Sequence, residues 1–129
     1  MIHLDTSVLV DALTGQKRSA PALRAAFAGG ERVLLSAIVL YEWLRGPRIE
    51  PEIAMQAALF PPASIVAFGL EEARRAAGLY RSVVRGRGRD LDVAVAACAL
   101  THGAELWTLN PADFTDLPNL KLYDPARGA

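Results

Sequence analysis

Short apolar runs alternate with longer stretches of helical periodicity along this chain. The runs predict β-strands, and the periodic stretches predict α-helices. The predicted strands lie at residues 1–4, 32–35, 64–68, 105–109 and 120–123. The predicted helices lie at residues 8–13, 20–27, 37–45, 50–59, 70–84 and 91–100. Strands that alternate with helices predict an α/β fold in which helices flank a central parallel sheet.

Two of these helices are predicted to meet the core in different ways. In the helix at residues 70–84, one apolar stripe is predicted to pack inward: Leu70, Ala73, Ala77, Tyr80 and Val84. Its charged positions are predicted to face solvent: Glu71, Glu72, Arg74 and Arg75. The segment at residues 91–100 is apolar on nearly every face, as expected of a helix that other elements cover on both sides.

Composition limits the kinds of protein that this chain can be. A chain of 129 residues with 52% hydrophobic residues predicts a single domain, residues 1–129, around one core. No apolar run approaches the roughly 20 residues that cross a bilayer, and the N-terminus does not resemble a secretory signal. The lone cysteine, Cys98, lies in an apolar stretch, which suits core packing in a reducing compartment. We therefore expect a cytoplasmic protein with no membrane contact.

Four acidic residues lie at the edges of predicted elements. Asp5 directly follows the first strand, and Glu42 is the one charge among the first eight residues of the third helix. Asp92 lies in the first turn of the apolar helix, and Asp113 lies in the polar turn after the fourth strand. Ligands of an open parallel sheet bind at the carboxyl ends of its strands. These carboxylates are therefore predicted to converge on a divalent metal.

Each acid also has a simpler structural explanation. Asp5 could cap the helix that follows it, and Glu42 could pair with Arg45 at i,i+3 for a few tenths of a kcal/mol. Asp113 lies among residue types that favour turns. In the first turn of the apolar helix we assign Asp90 to the N-cap and Asp92 to the metal, because these two acids cannot both be caps. The four positions together favour the metal site.

Five segments, taken in order, carry a family pattern. They read LDTSVLVD at residues 4–11, YEWLRG at 41–46, DVAVAACA at 92–99, LWTLN at 106–110 and DF at 113–114. Together they resemble the PIN-domain ribonucleases, and closely the VapC-type toxins of bacterial and archaeal toxin–antitoxin pairs. One position departs from the pattern, because many members carry an acid where this chain has Asn110. Whether Asp113 completes the site or Asn110 contributes through water therefore stays open.

The resemblance implies a PIN-like α/β fold and nuclease chemistry. It implies a Mg²⁺ site, with Mn²⁺ as the alternative ion, and endonucleolytic cleavage of RNA. It also implies a homodimer, and neutralisation by a VapB-type antitoxin in a heterotetramer or larger assembly. The catalytic acids would be Asp5, Glu42, Asp92 and Asp113. Asp5 and Asp92 would ligate the ion directly or through one water, while Glu42 and Asp113 would orient waters or hold a second ion.

Polar and basic neighbours of the acids complete the predicted site. Four of them are predicted to support the acids, chiefly by orienting carboxylates: Thr6, Ser7, Thr108 and Asn110. Three arginines before the apolar helix are predicted to contact RNA or the antitoxin: Arg85, Arg87 and Arg89. A solvated charged loop is the alternative for these arginines. The net charge of zero argues against a polybasic mode of nucleic-acid binding.

Two other functions compete with a nuclease. A metal-dependent phosphatase of the haloacid-dehalogenase type also begins with a strand and an Asp, but its motif needs a second Asp where this chain has Ser7. The other is a PIN-like RNA-binding or interaction module without catalysis, which the intact set of four acids disfavours. A metal-dependent cleavage assay separates that module from an active nuclease.

Overall fold

A parallel three-stranded sheet forms the centre of the fold. The computed structural model describes residues 1–83 and 87–128. Strand β1 spans Ile2–Leu4, β2 spans Val33–Leu34 and β3 spans Glu105–Trp107, in the spatial order β2-β1-β3. The register places Ile2 opposite Val33 on one side and Glu105 on the other. The predicted central parallel sheet is confirmed.

Six α-helices flank this sheet in the described part of the chain. They are α1 Thr6–Leu13, α2 Ala20–Ala28, α3 Ala37–Arg45, α4 Glu50–Leu59, α5 Leu70–Ser82 and α6 Asp90–Thr101. Each predicted helix is present, and its ends agree with the prediction to within about two residues, the usual uncertainty of helix boundaries. None of these helices is long and apolar enough to cross a membrane.

Two predicted strands form only single bridges among the described residues, so their predicted extents are wrong. In the segment at residues 64–68, only Val66 forms a bridge, and its partner is Ser36. The pairing stops there because helix α3 begins at Ala37, the residue after Ser36. The segment at residues 120–123 pairs through Leu122, and a 3-10 turn follows shortly after it. Neither segment has enough extended neighbours to form a longer ladder.

Strand β1 and helix α6 lie at the centre of the core. All three residues of β1 are completely buried. Residues 93–99 of α6 are buried without interruption, and most of them are Ala or Val. Side chains of this size let neighbouring elements pack closely on every side of the helix. The prediction of a helix covered on both sides is confirmed.

Helix α5 faces the core with a different stripe from the predicted one. Leu70 and Tyr80 are 68% and 40% exposed, whereas Glu72 is buried. Glu72 tolerates burial because its carboxylate accepts a hydrogen bond from the backbone nitrogen of Gly69, 3.0 Å away, at the start of the helix. The predicted inward stripe and the predicted exposure of Glu72 are therefore wrong. The last predicted member of the stripe, Val84, lies outside the described residues.

The central strand contains a buried histidine. His3 is completely buried, and neither of its ring nitrogens has a hydrogen-bond partner among the described residues. Burial is the largest cause that lowers the pKa of His3 to about 4, and the nearby His102 acts in the same direction. A positive charge in this apolar setting is costly, so the imidazole is neutral at physiological pH.

This histidine should make the protein less stable in mild acid. The unfolded chain binds the His3 proton near pH 6.5 and the folded chain only near pH 4, so stability falls as pH drops through that window. The contribution of His3 alone to the change between pH 7 and pH 5 is a loss of about 2 kcal/mol, separate from the contributions of other titrating groups. Urea denaturation at both pH values should show that His3→Leu removes most of this difference, whereas His102→Gln does not. Equal pH dependence in wild type and His3→Leu would contradict this account.

Candidate active site

The carboxyl ends of β1 and β3 bring the first acid and its hydroxyl partner together. Asp5 follows β1 directly, and its backbone nitrogen donates a hydrogen bond to the carbonyl oxygen of Trp107, 2.9 Å away, at the end of β3. Thr108 is the next residue after that strand. The parallel pairing of the two strands therefore places Asp5 and Thr108 side by side at one edge of the sheet.

Two hydroxyl groups orient the Asp5 carboxylate. Ser7 Oγ and Thr108 Oγ1 both donate hydrogen bonds to Oδ2 of Asp5, at 2.9 and 2.7 Å. The same hydroxyl oxygens accept bonds from the backbone nitrogens of Leu109 and Asn110, each at 3.0 Å. Asp5 is 6% exposed, and its side chain makes no capping hydrogen bond to α1. The capping explanation for Asp5 is therefore excluded, and its carboxylate is held in one orientation.

Helix α3 contributes Glu42 from the side of the site. Its Oε1 accepts a hydrogen bond from Thr6 Oγ1 at 2.8 Å, and its Oε2 lies 3.8 Å from Nη2 of Arg45. The Arg45 side chain is 51% exposed, so this ion pair contributes little to stability. The helix is anchored at its start by Ser36, whose side chain accepts a bond from the nitrogen of Val39. Glu42 therefore pairs with Arg45, as in its simpler structural explanation, and also accepts a hydrogen bond from Thr6, the residue after Asp5.

Asp92 is the acid most affected by the charges of the other three. Asp92 is partly buried in the first turn of α6, and its pKa is raised to about 6. Burial is the largest cause, followed by the negative charges of Asp5, Asp113 and Glu42, while Arg89 acts in the opposite direction. Like charges that lie close together disfavour ionisation. Acids from four separate parts of the sequence therefore lie within electrostatic reach of Asp92.

Helix α6 begins differently from the prediction. Arg89 occupies the N-cap position, and Asp90 is the first helical residue and is exposed. No side chain caps this helix end. The assignment of Asp90 to the N-cap is therefore wrong, while its charge still lies in the first turn, where the helix dipole favours it.

Asp113 and Asn110 lie at opposite ends of a short exposed turn. The 3-10 segment Pro111–Asp113 follows Asn110, and the backbone nitrogen of Asp113 donates to the carbonyl oxygen of Asn110 at 3.0 Å. Both side chains are exposed. The charge of Asp113 reaches Asp92, whereas the backbone nitrogen of Asn110 is bound to the hydroxyl of Thr108. On electrostatic grounds Asp113 belongs to the acid cluster.

The three predicted arginine contacts have different surroundings. Arg85 lies outside the described residues, and Arg87 is exposed. Arg89 forms a forked ion pair with Asp116, with two nitrogen–oxygen distances of 2.7 Å. The hydrogen bonds to Asp116 raise the pKa of Arg89, and the same bonds lower the pKa of Asp116. Sequence reasoning missed Asp116, because an Asp in a polar turn carries no signal of a partner 27 residues earlier.

The donor set fits one kind of metal site. All four acids offer oxygen atoms, which Mg²⁺ prefers. Within residues 1–83 and 87–128, no three His, Cys, Asp or Glu side chains form a group that could hold an ion by themselves. Mg²⁺ is commonly bound through one or two carboxylates and keeps several waters. Oxygen donors of this kind would suit a Mg²⁺ ion that keeps several of its waters, with Asp5 and Asp92 as the residues that would hold it.

A larger apolar groove lies away from the acids. It has a volume of about 480 Å³ and is lined by parts of α1, α2 and α4, including Leu13, Leu23, Phe27 and Met55. None of the four acids lines this groove. The groove is therefore separate from the acids that the sequence singled out.

The raised pKa of Asp92 predicts that Asp92→Asn stabilises the metal-free protein. The folded-state pKa lies above the unfolded value, so the ionised side chain is destabilising above about pH 6, and this penalty disappears as the pH falls toward 4. Because Asp92 is only partly buried, solvent screening reduces the expected gain to about 1 kcal/mol at pH 7.5. Urea denaturation in EDTA at pH 7.5 and pH 4.5 measures it.

The exposed Asp90 provides a matched control in the same helical turn. Asp90→Asn should change the free energy of unfolding much less than Asp92→Asn at pH 7.5. An Asp92→Asn protein that is clearly less stable than wild type in EDTA would show that the acids do not repel one another in the folded state.

Comparison with known proteins agrees with this geometry. The family model described as "PIN domain" matches residues 2–119. Ribonuclease VapC19 of Mycobacterium tuberculosis is 35% identical over 121 residues, which cover 92% of this chain and 95% of that protein.

Solved structures share the fold at low sequence identity. DNA-bound VapBC from Salmonella typhimurium has a TM-score of 0.81 at 19% identity, over 96% of this chain and 97% of that chain. VapBC2 from Rickettsia felis, bound to a promoter DNA fragment, has a TM-score of 0.72 at 22% identity, over 95% and 98%. The family model matches most of the sequence, and a ribonuclease relative is 35% identical over 92% of the chain, so this chain belongs to the PIN-domain family.

Proposed function

We propose that this protein is a Mg²⁺-dependent endoribonuclease, the toxin of a type II toxin–antitoxin module, and that a VapB-type antitoxin neutralises it. The action of three other carboxylates on Asp92 supports the catalytic part of this proposal. The relationship to ribonuclease VapC19 supports RNA as the substrate. The structural neighbours named VapBC support an antitoxin partner. RNA cleavage of this kind would take place in the cytoplasm.

The chemistry follows from what the acids can and cannot do. Hydrolysis of a phosphodiester needs an activated water and stabilisation of negative charge on the phosphate and the leaving oxygen. A bound Mg²⁺ would supply both at this site, with Mn²⁺ as the alternative ion. Asp5 and Asp92 would hold the ion, and the two hydroxyl bonds to Asp5 keep its carboxylate oriented before the ion arrives.

Glu42 and Asp113 would act on water rather than on the ion. Glu42 is held by Thr6 at one oxygen, and the exposed Asp113 faces the cluster from the turn after β3. Carboxylates in such positions accept hydrogen bonds from water and fix its direction of approach to a phosphate. The negative charges that, after burial, help to raise the pKa of Asp92 would also attract a cation to its carboxylate.

The surface near α6 offers a contact for the RNA backbone or for the antitoxin. Arg87 is exposed two residues before the Arg89 N-cap of the helix that carries Asp92. Arg89 is paired with Asp116, so it presents less free charge to a phosphate. We assign the direct contact chiefly to Arg87 and extend it to Arg85, which lies outside the described residues. A homodimer, joined by antitoxin into a heterotetramer or larger complex, is the proposed assembly.

Cleavage should depend on both the acids and the ion. With Mg²⁺, Asp5→Asn and Asp92→Asn should each lower the rate of cleavage of a fluorescently labelled RNA by about 100-fold or more, since both remove a proposed ligand. Asp90→Asn should retain near wild-type activity, and EDTA should abolish cleavage by wild type. If wild type cleaves RNA equally well in EDTA, the metal assignment fails. A wild type that binds RNA without cutting it would favour a non-catalytic PIN-like module.

Loss of Arg87 should weaken RNA binding through charge alone. Arg87→Ala should lower the affinity for single-stranded RNA in EDTA and reduce the slope of log K against log salt by about 0.7. Arg32→Ala is the control, because Arg32 is exposed just before β2, at the opposite edge of the sheet. Fluorescence anisotropy over a range of salt concentrations measures both variants. The same slope for Arg87→Ala and wild type would remove Arg87 from the interface.

A further inference from the structure

Arg89 joins the two segments that carry Asp92 and Asp113. Its guanidinium donates to both carboxylate oxygens of Asp116, each at 2.7 Å, and its Nη2 also donates to the backbone carbonyl oxygen of Asp113 at 2.6 Å. Arg89 is itself the N-cap residue of α6, three positions before Asp92. One side chain thus connects the first turn of α6 to the exposed turn that follows β3.

The exposed turn is anchored in the core just beyond its Asp113 end. Residues 110–113 are all exposed, and buried contacts begin at Phe114 and Leu117, which are 2% and 4% exposed. Backbone bonds hold the shape of the turn itself. The bonds from Arg89 add side-chain hydrogen bonds that tie this segment to the helix carrying Asp92.

The ion pair with Asp116 also balances the positive charge of Arg89. An unpaired guanidinium beside a group of carboxylates would compete with a metal ion for them. Asp116 accepts two hydrogen bonds from this guanidinium, so Arg89 can lie near the acids while its charge is largely balanced.

We propose that Arg89 and Asp116 form a positioning pair that sets the separation of Asp113 from Asp92 and so determines how tightly the acid cluster binds a divalent cation. This inference rests on the proposed nuclease function for its catalytic consequence, but cation binding tests it without RNA. Neither residue contacts the ion or the phosphate in this proposal. Their effect passes through the backbone carbonyl of Asp113.

The chain contains a matched ion pair that can serve as a control. Arg127 forms the same kind of fork with Glu105, at 2.8 and 3.2 Å, where β3 begins rather than where it ends. The control pair therefore lies at the opposite edge of the sheet from the acids. Arg→Lys in either pair keeps the charge but removes the planar fork that makes two parallel hydrogen bonds.

Calorimetric titration of metal-free protein with Mn²⁺ is the first measurement. Arg89→Lys and Asp116→Asn should each weaken Mn²⁺ binding by about tenfold, and Arg127→Lys should stay within about twofold of wild type. Arg89→Ala decides between positioning and simple repulsion. If Arg89 only repelled the cation, its removal would tighten Mn²⁺ binding, whereas the positioning pair predicts weaker binding. Unchanged or tighter binding in Arg89→Ala overturns the proposal.

Kinetics and hydrogen exchange give two further readouts. Arg89→Lys should lower kcat for RNA cleavage at saturating Mg²⁺ by about tenfold with little change in KM, because substrate contacts are retained. Amide exchange in residues 110–117 should become faster in Arg89→Lys and stay unchanged in Arg127→Lys. Faster exchange with unchanged Mn²⁺ affinity and unchanged kcat would show a purely structural pair and would refute positioning.

The outcomes also separate this inference from the proposed function. If wild type binds Mn²⁺ and the Arg89 variants bind it less tightly, but no protein cuts RNA, the nuclease proposal fails and the positioning pair stands. If wild type cuts RNA and Arg89→Lys matches it in kcat and Mn²⁺ affinity, the positioning pair fails and the nuclease stands. A wild type that does not bind Mn²⁺ refutes the positioning pair directly.

Discussion

Mutual repulsion among carboxylates is the constraint on which this structure depends. Asp5, Glu42 and Asp113 together act on Asp92 strongly enough, with burial, to raise its pKa to about 6. A folded domain is stable by only about 5 to 15 kcal/mol, so a cluster of this kind must be opposed by a well-packed scaffold. Strand β1 and the continuously buried helix α6 provide it, because they place the acids while keeping the rest of the interior apolar.

Different hydrogen bonds hold the individual acids in place against this repulsion. Hydroxyl groups of Ser7 and Thr108 bind one oxygen of Asp5, and Thr6 binds one oxygen of Glu42. A neutral hydroxyl orients a carboxylate without cancelling its charge, so the negative potential of the cluster is preserved. Among the described residues, Arg89 binds Asp113 through the backbone carbonyl oxygen of Asp113 and not through its carboxylate. Orientation and charge are therefore controlled separately.

The sequence allowed the strand, the acid and the helix at Asp5 to be predicted, because each depends on neighbours along the chain. The continuous apolar run likewise predicted the buried helix α6. Prediction failed where a distant or unusual partner decided the outcome. Glu72 was expected in solvent, but a local backbone nitrogen satisfies it in the interior. The pairing of Arg89 with Asp116 depends on the fold bringing together positions 27 residues apart, and no local pattern encodes that.

The hydrogen bond between Asp5 and Thr108 spans 103 residues of sequence. A ribosome makes the Asp5 end first and supplies the threonine only when about four-fifths of the chain has been synthesised, and protein chains tend to fold as complete units during synthesis. The acidic centre is therefore assembled late. Prematurely terminated copies that stop before β3 would contain Asp5 without the threonine that orients it.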